Sequence, residues 1–207
     1  MLFRSEYLNA NPEAGQNFHR GMTDMSTVEG PPVAEAYDFS GIKTITDVAG
    51  GYGLLLALIL QKNPGMRGTL YDQPEVIAGA AGGPTEGVKD RVTYVGGNMF
   101  ESVPAGSDCY IMKHIIHDWP DALCVELLKH CRAGVNPGGK LLVVDPVVPG
   151  PNEFHVGKIM DLEMMLFPSG KERTEEEFRE LFAQAGWKFT RVIPTASHVS
   201  IVEGVAA

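Results

Sequence analysis

Residues 42–60 read Ile-Lys-Thr-Ile-Thr-Asp-Val-Ala-Gly-Gly-Tyr-Gly-Leu-Leu-Leu-Ala-Leu-Ile-Leu. The run Ile42–Val48 is rich in β-branched residues and predicts a strand. The run Leu54–Leu60 is too long and too Leu-rich for a strand and predicts a helix. Between them, Asp47 to Gly53 forms a glycine turn. A second β-like run, Thr69-Leu70-Tyr71, ends in Asp72. Glycine has no Cβ, so a ligand can approach such a turn closely. The helix that follows offers free N–H groups to an anion, and an acid ending the second strand can take both hydroxyls of a ribose. The combination points to a nucleoside-containing cofactor.

The dinucleotide fingerprint G-x-G-x-x-G is only half met. Gly51 and Gly53 fit its first two positions, but Leu56 stands at the third. An acid also ends the first strand, Asp47. The order acid-x-G-x-G-x-G is similar to the S-adenosylmethionine loop of class I methyltransferases; Asp47, Gly51 and Gly53 match it, and Ala49 departs at the first glycine. From the loop alone, a structural turn in some other α/β domain stays open, because short glycine motifs match by chance.

Working outward, strand and helix patterns alternate after residue 41, which predicts a parallel sheet covered on both faces. Arg91–Val95 reads as a third strand and Ser107–Met112 as a fourth. A helix follows from Asp121, with Cys124, Leu127, Leu128 and Cys131 at helical spacing, and Asn136-Pro137-Gly138-Gly139 stops it. Leu141–Val144 is a continuous apolar strand, as a central parallel strand should be; Asp145 and Pro146 end it. Thr174 with Glu177 has the capping-box spacing, ahead of an apolar stripe of Phe178, Leu181, Phe182 and Ala185. Trp187–Ile193 and His198–Val205 close the chain through the turn Pro194–Ser197, so tight a link that the pair must be antiparallel. In residues 1–40, Phe18, Met22 and Met25 recur at helical spacing and Pro31-Pro32 breaks the pattern. This is read as a leading helical segment, followed by one cofactor-binding domain over residues 41–207.

Composition bounds the partners. The chain of 207 residues carries a net charge of −9 with no basic run, which argues against nucleic acid or an anionic membrane. Its three cysteines, Cys109, Cys124 and Cys131, form no C-x-x-C pair and read as buried thiols in a reducing compartment. No apolar stretch reaches membrane-span length, and the first residues lack a signal-peptide pattern. A cytosolic location is expected.

Residues 112–121, Met-Lys-His-Ile-Ile-His-Asp-Trp-Pro-Asp, follow the fourth strand at the sheet edge where open α/β sheets bind ligands. His117 there is a side chain able to take a proton near neutral pH. This run closely resembles the segment around the catalytic histidine of the S-adenosylmethionine-dependent O-methyltransferases of small phenolics and polyketides. That family includes plant caffeic acid and flavonoid enzymes and bacterial antibiotic-tailoring enzymes. Phe18–Met22, Ala36–Phe39, Asp47–Gly53, Gly97–Phe100, Asn136–Gly139 and Gly170–Glu175 look like further family signatures in the family's order.

The resemblance implies a class I methyltransferase fold: a Rossmann-like, mostly parallel sheet with a C-terminal antiparallel hairpin and helices on both faces. It implies S-adenosylmethionine as cofactor, S-adenosylhomocysteine as product and a small aromatic hydroxyl as acceptor. His117 would be the general base, with Asp145 and Glu172 as its acids. The family usually has Glu at the first of these, so Asp145 is one methylene shorter. Asp72 would meet the ribose, Lys113 the methionine part, and Met99 the adenine. Asn98 stands where the family has Asp and would accept from the adenine amine. Phe18, Met22, Met160, Met164 and Phe167 would line the acceptor pocket. The family also carries an N-terminal helical domain that forms a homodimer, so residues 1–40 would be the remnant of the linker to it.

Elementary chemistry agrees with these roles. A phenol has a pKa of about 10 by analogy with tyrosine, and a sulfonium methyl is already activated. Alignment and a proton sink therefore suffice, and no metal is required. His114 and His117 with Asp118 have poor zinc spacing. His19, His130, His155 and His198 read as surface or core residues. Three rivals remain: a relative using the same cofactor for N- or C-methylation, decarboxylation or hydroxylation; a non-catalytic cofactor-binding or dimerisation module; and, more distantly, a nicotinamide dehydrogenase, opposed by Leu56 and the terminal hairpin.

Overall fold

The computed structural model describes residues 7, 8, 10–165 and 170–206. A long helix α1 (Pro12–Ala36) precedes an alternating series: β1 (Thr44–Val48), α2 (Leu54–Lys62), β2 (Arg67–Asp72), α3 (Pro74–Gly79), β3 (Val92–Gly96) and β4 (Ser107–Lys113). Then come α4 (Asp121–Gly134), β5 (Val135–Asp145), α5 (Val156–Met164), α6 (Glu175–Gln184), β6 (Trp187–Pro194) and β7 (Ser200–Ala206). The seven strands lie in the order β3-β2-β1-β4-β5-β7-β6. The first five are parallel; β7 enters antiparallel between β5 and β6. This is the α/β architecture the alternation and the terminal hairpin predict.

Chain direction across the sheet reverses between β1 and β4, which pair directly through Ile45↔Cys109 and Asp47↔Ile111. Helices on opposite faces diverge at such a point and leave a crevice outside the strands' carboxyl ends. On one face α1 and α2 bury Val33, Leu55, Leu56, Ile59 and Leu60 over Ile45, Leu70 and Ile111. On the other, α4 and α6 bury Leu127, Leu128, Phe178 and Phe182 over Tyr110, Met112, Leu141 and Val143. Each of these large side chains contributes roughly 1.5–3 kcal/mol on burial, so the strand ends between the two layers are rigidly held.

Two expectations are corrected. Pro31 and Pro32 do not end the leading helix, which runs on to Ala36. Two prolines cost backbone bonds, but Gly30, Val33 and Ala34 in this stretch are buried. Gly30 packs so close to α2 that a Cβ would come within 2.7 Å of Leu58. Asn136–Gly139 stops α4, yet the chain stays extended there, so β5 begins at Val135 with a register shift opposite Ser107–Cys109. A short 3-10 turn, Glu86–Arg91, leads into β3. The capping box of α6 is present in both halves, with Thr174 accepting from the Glu177 amide and Glu177 accepting from Thr174. No helix among the described residues is long and apolar enough to cross a membrane.

Candidate active site

The turn after β1 is built from left-handed residues. Ala49, Gly51 and Gly53 have φ of 55°, 59° and 80°. Glycine adopts such angles without cost, whereas alanine does not. Gly50 lies against Asp47 so tightly that a Cβ would come within 2.6 Å of its carboxylate carbon. Opposite Gly51, by contrast, a Cβ would meet nothing within 4 Å. The Gly51 amide donates to Asp72 Oδ2 at 2.8 Å and the Gln73 amide to Asp72 Oδ1 at 2.7 Å. These two bonds fix the Asp72 carboxylate at the end of β2.

Above this edge lies a cavity lined by Asp47, Gly51, Gly53, Asp72, Met99 and Lys113 from the sheet side, and by Phe18, His19 and Met22 from α1. Asp47 is 2% exposed, and its Oδ2 has no hydrogen-bond partner among the described residues. Burial, reinforced by Asp72 and opposed by Lys113, pushes its carboxyl up to about 7. A buried, unpartnered carboxylate oxygen on a cavity wall is costly unless something bound there supplies a donor.

Asn98 stands apart. Its Oδ1 accepts from the Phe100 amide at 3.1 Å, its Nδ2 donates to Glu101 at 3.1 Å, and it is not among the residues lining the cavity. It closes its own turn. His19, expected at the surface or in the core, is on the cavity wall, its ring 5.4 Å from that of Tyr52.

Beside the cavity, the turn after β4 carries His117, whose Nδ1 lies 2.8 Å from Glu172 Oε1. Nε2 points toward Asp118, 3.8 Å away, and Asp118 lines the cavity. Burial alone would pull His117 down. The Glu172 hydrogen bond, with Asp145 and Asp118 nearby, outweighs it and pushes the imidazole up to about 9. Asp145, at the end of β5, is fully buried and has an oxygen within 4.8 Å of a His117 ring nitrogen. Neither of its oxygens makes a hydrogen bond among the described residues. Burial, reinforced by Glu172, raises it to about 7.

Arg173, 1% exposed, holds this turn. It donates to the carbonyls of Ile116 (2.7 Å) and Trp119 (2.9 Å) and to Asp121 Oδ1 (2.7 Å). Met160 and Met164 sit on α5, Met164 buried, and neither is in the cavity wall. Phe167 lies outside the described residues.

One functional-looking residue was missed by the sequence reading. Glu29 of α1 is 2% exposed. It accepts from Lys113 Nζ at 2.7 Å and lies 3.0 Å from His114 Nε2 and 3.1 Å from His198 Nε2. Burial opposes its charge, but His114 and Lys113 hold its carboxyl down at about 2. The helical period could have found it, since Glu29 falls on the same stripe as Met22, Ser26 and Val33. Glu29, His114 and His198 are close enough to hold a metal ion. The Lys113 ammonium already balances that carboxylate, so the set fits an ion pair better than a dication.

A family model described as an O-methyltransferase domain matches residues 3–188. The chain belongs to this O-methyltransferase family. It is 43% identical over 198 residues to the phenazine O-methyltransferase PhzM of Lysobacter antibioticus, covering 95% of this chain and 58% of that protein. The crystal structure of LaPhzM superposes with a TM-score of 0.96 at 42% identity, over 100% of this chain and 62% of the other. The O-methyltransferase NcsB1 from neocarzinostatin biosynthesis, solved with S-adenosyl-L-homocysteine and 1,4-dihydroxy-2-naphthoic acid, gives 0.90 at 32% identity, over 100% and 62%. The O-methyltransferase domain described here thus spans little more than half the length of such relatives.

Proposed function

We propose that the chain binds S-adenosylmethionine and serves methyl transfer to a hydroxyl of a small aromatic acceptor. The observation that carries this is the His117–Glu172 pair at 2.8 Å beside a cavity walled by Asp47 and Asp72. The residues fit the cofactor: Asp47 offers an unpartnered buried oxygen, Asp72 a backbone-fixed carboxylate, and Gly51 an open approach. When bound, S-adenosylmethionine supplies a methyl group already activated on a sulfonium. The chain's own part is to hold and to deprotonate. Asp72 takes ribose hydroxyls, Lys113 and Asp47 flank the methionine part, and Met99 packs on adenine.

His117 receives the acceptor's hydroxyl proton on Nε2 while Glu172 keeps Nδ1 as the donor and balances the imidazolium. Asp145 adds negative charge nearby without a hydrogen bond. Phe18, Met22, Met160, Met164 and Phe167 are the proposed apolar walls for the acceptor. A homodimer and a cytosolic location belong to the same reading. Exposed Val156, Ile159 and Leu162 on α5 support the first; three free, buried thiols support the second.

Calorimetry with S-adenosylmethionine, S-adenosylhomocysteine and NAD tests the cofactor. Binding of the first two and not the third is expected, and tight NAD binding alone would overturn the reading. Turnover on a panel of phenols, with and without an N-terminal domain supplied from a relative, tests the reaction. No methylation under either condition would favour a non-catalytic binding module.

A further inference from the structure

Glu172 is held more by its backbone than by its side chain. Its Oε1 meets His117, but Oε2 has no hydrogen-bond partner among the described residues. The carboxylate therefore points where the main chain of residues 171–173 aims it. That segment is tied down at alternate residues. The Lys171 amide donates to the His117 carbonyl at 2.9 Å, and the Val148 amide donates to the Arg173 carbonyl at 2.9 Å. The Glu172 amide between them bonds to neither anchor. Its partner is Asp161 Oδ1, at 2.8 Å. Asp161 lies on α5, one residue after Met160 and three before Met164.

We propose that Asp161 is a positioning residue. Its carboxylate fixes the backbone of Glu172, and so sets the distance and angle at which Glu172 meets His117. The inference rests on the reading of His117 as the base, but the contact itself is independent of turnover. It also ties α5 to the proton-accepting pair through one hydrogen bond. A displacement of that helix by an acceptor packed on Met160 or Met164 would be felt at His117 Nδ1.

Nuclear magnetic resonance of the histidine ring nitrogens in the full chain reads this directly. The His117→Gln variant identifies the His117 signals. In wild type, His117 should titrate above an ordinary histidine, with Nδ1 protonated in the neutral form. Asp161→Ala should lower that midpoint by about one unit and broaden the tautomer preference, while affinity for S-adenosylhomocysteine, read by calorimetry, stays unchanged. Asp161→Asn keeps an oxygen that can accept from the Glu172 amide and should titrate like wild type. That rescue separates positioning from the charge of Asp161. An Asp161→Ala midpoint equal to wild type would overturn the proposal, as would an Asp161→Asn midpoint shifted as far as that of Asp161→Ala. Should the alanine variant fail to fold, Asp161→Glu keeps the charge and the helix but moves the oxygen by one methylene. A lowered midpoint is expected, and an unmoved one overturns the proposal. Failure to methylate any phenol, by contrast, would count against the function and leave these titrations readable.

Discussion

Asp72 Oδ2 accepts the Gly51 amide at 2.8 Å, joining the end of β2 to the glycine turn after β1. The acid proposed for the ribose and the turn proposed for close approach are thus one unit. Removing either partner disturbs both, so the informative substitutions lie around this bond.

Ala49 is the first such position. Its φ of 55° costs an L-residue about 1–2 kcal/mol. Ala49→Gly should recover part of that strain, offset by greater freedom of the unfolded chain. The net gain expected is about 0.5–1 kcal/mol, a rise of about 1–4 °C in melting temperature for a chain this size. A calorimetric scan showing a lower midpoint would mean the left-handed geometry is not strained.

Asp47 carries the opposite balance. Its carboxyl is raised to about 7, chiefly by burial. The folded state therefore binds a proton that the unfolded state has released, and stability falls as pH rises from about 4 toward 7. Asp47→Asn removes the buried charge. Its stability advantage should grow from pH 5 to pH 7 and level off above, with an upper limit of about 4 kcal/mol at 1.36 kcal/mol per unit. The same variant should lose affinity for S-adenosylhomocysteine. Equal melting curves at pH 5 and pH 8 relative to wild type would refute the buried-charge account.

His117 gives a pH signature of its own. Raised to about 9 by Glu172 and its neighbours against the pull of burial, it is protonated at neutral pH in the free chain. Its contribution to stability is fully present below about 6.5 and is lost as pH rises through about 9. A base must be neutral, so the rate for free enzyme and acceptor should climb with pH up to about 9. Glu172→Gln should move that limb to lower pH and reduce the plateau by roughly 10²–10⁴. A pH–rate profile unmoved by this substitution would place the base elsewhere.

Asn98 is expected to be silent toward the cofactor. Its amide spans Phe100 N and Glu101 Oε1. Asn98→Asp would replace the second hydrogen bond by a repulsion between carboxylates. Stability should fall by about 0.5–1 kcal/mol, with cofactor affinity unchanged in calorimetry. Tighter binding would restore the role in adenine recognition implied by the family resemblance.

Part of the fold and of the site is legible in the sequence itself. Asp47–Gly53 announces its turn because few residues other than glycine accept those backbone angles. Thr174 and Glu177 announce a helix start by reciprocal capping. The short link read at Pro194–Ser197, which the structure places at Thr195–Val199, can only join antiparallel neighbours. What stayed hidden depends on contacts distant in sequence. Pro31-Pro32 reads as a break because local propensity cannot see Gly30 pressed onto Leu58. Asn136–Gly139 reads as a stop and hides the extension of β5. Glu29 reads as a solvated helix charge until Lys113, His114 and His198 close around it. Asn98, placed by analogy with an acid, also bonds Phe100 and Glu101 within its own turn, a local pairing that the analogy does not show.

Tyr37 Oη donates to Glu203 Oε2 at 2.6 Å, across 166 residues, and Lys140 meets the same two side chains. The residue that follows α1 is thereby latched to β7, while His198, just ahead of β7, reaches Glu29 within α1. During synthesis α1 can pack on α2 and pair Glu29 with Lys113 and His114 before β7 is made, so only the Tyr37–Glu203 latch and the His198 contact wait for the end of the sheet. Contacts so distant in sequence are slow to close, so the latch behind α1 is expected to set after the helix has already packed.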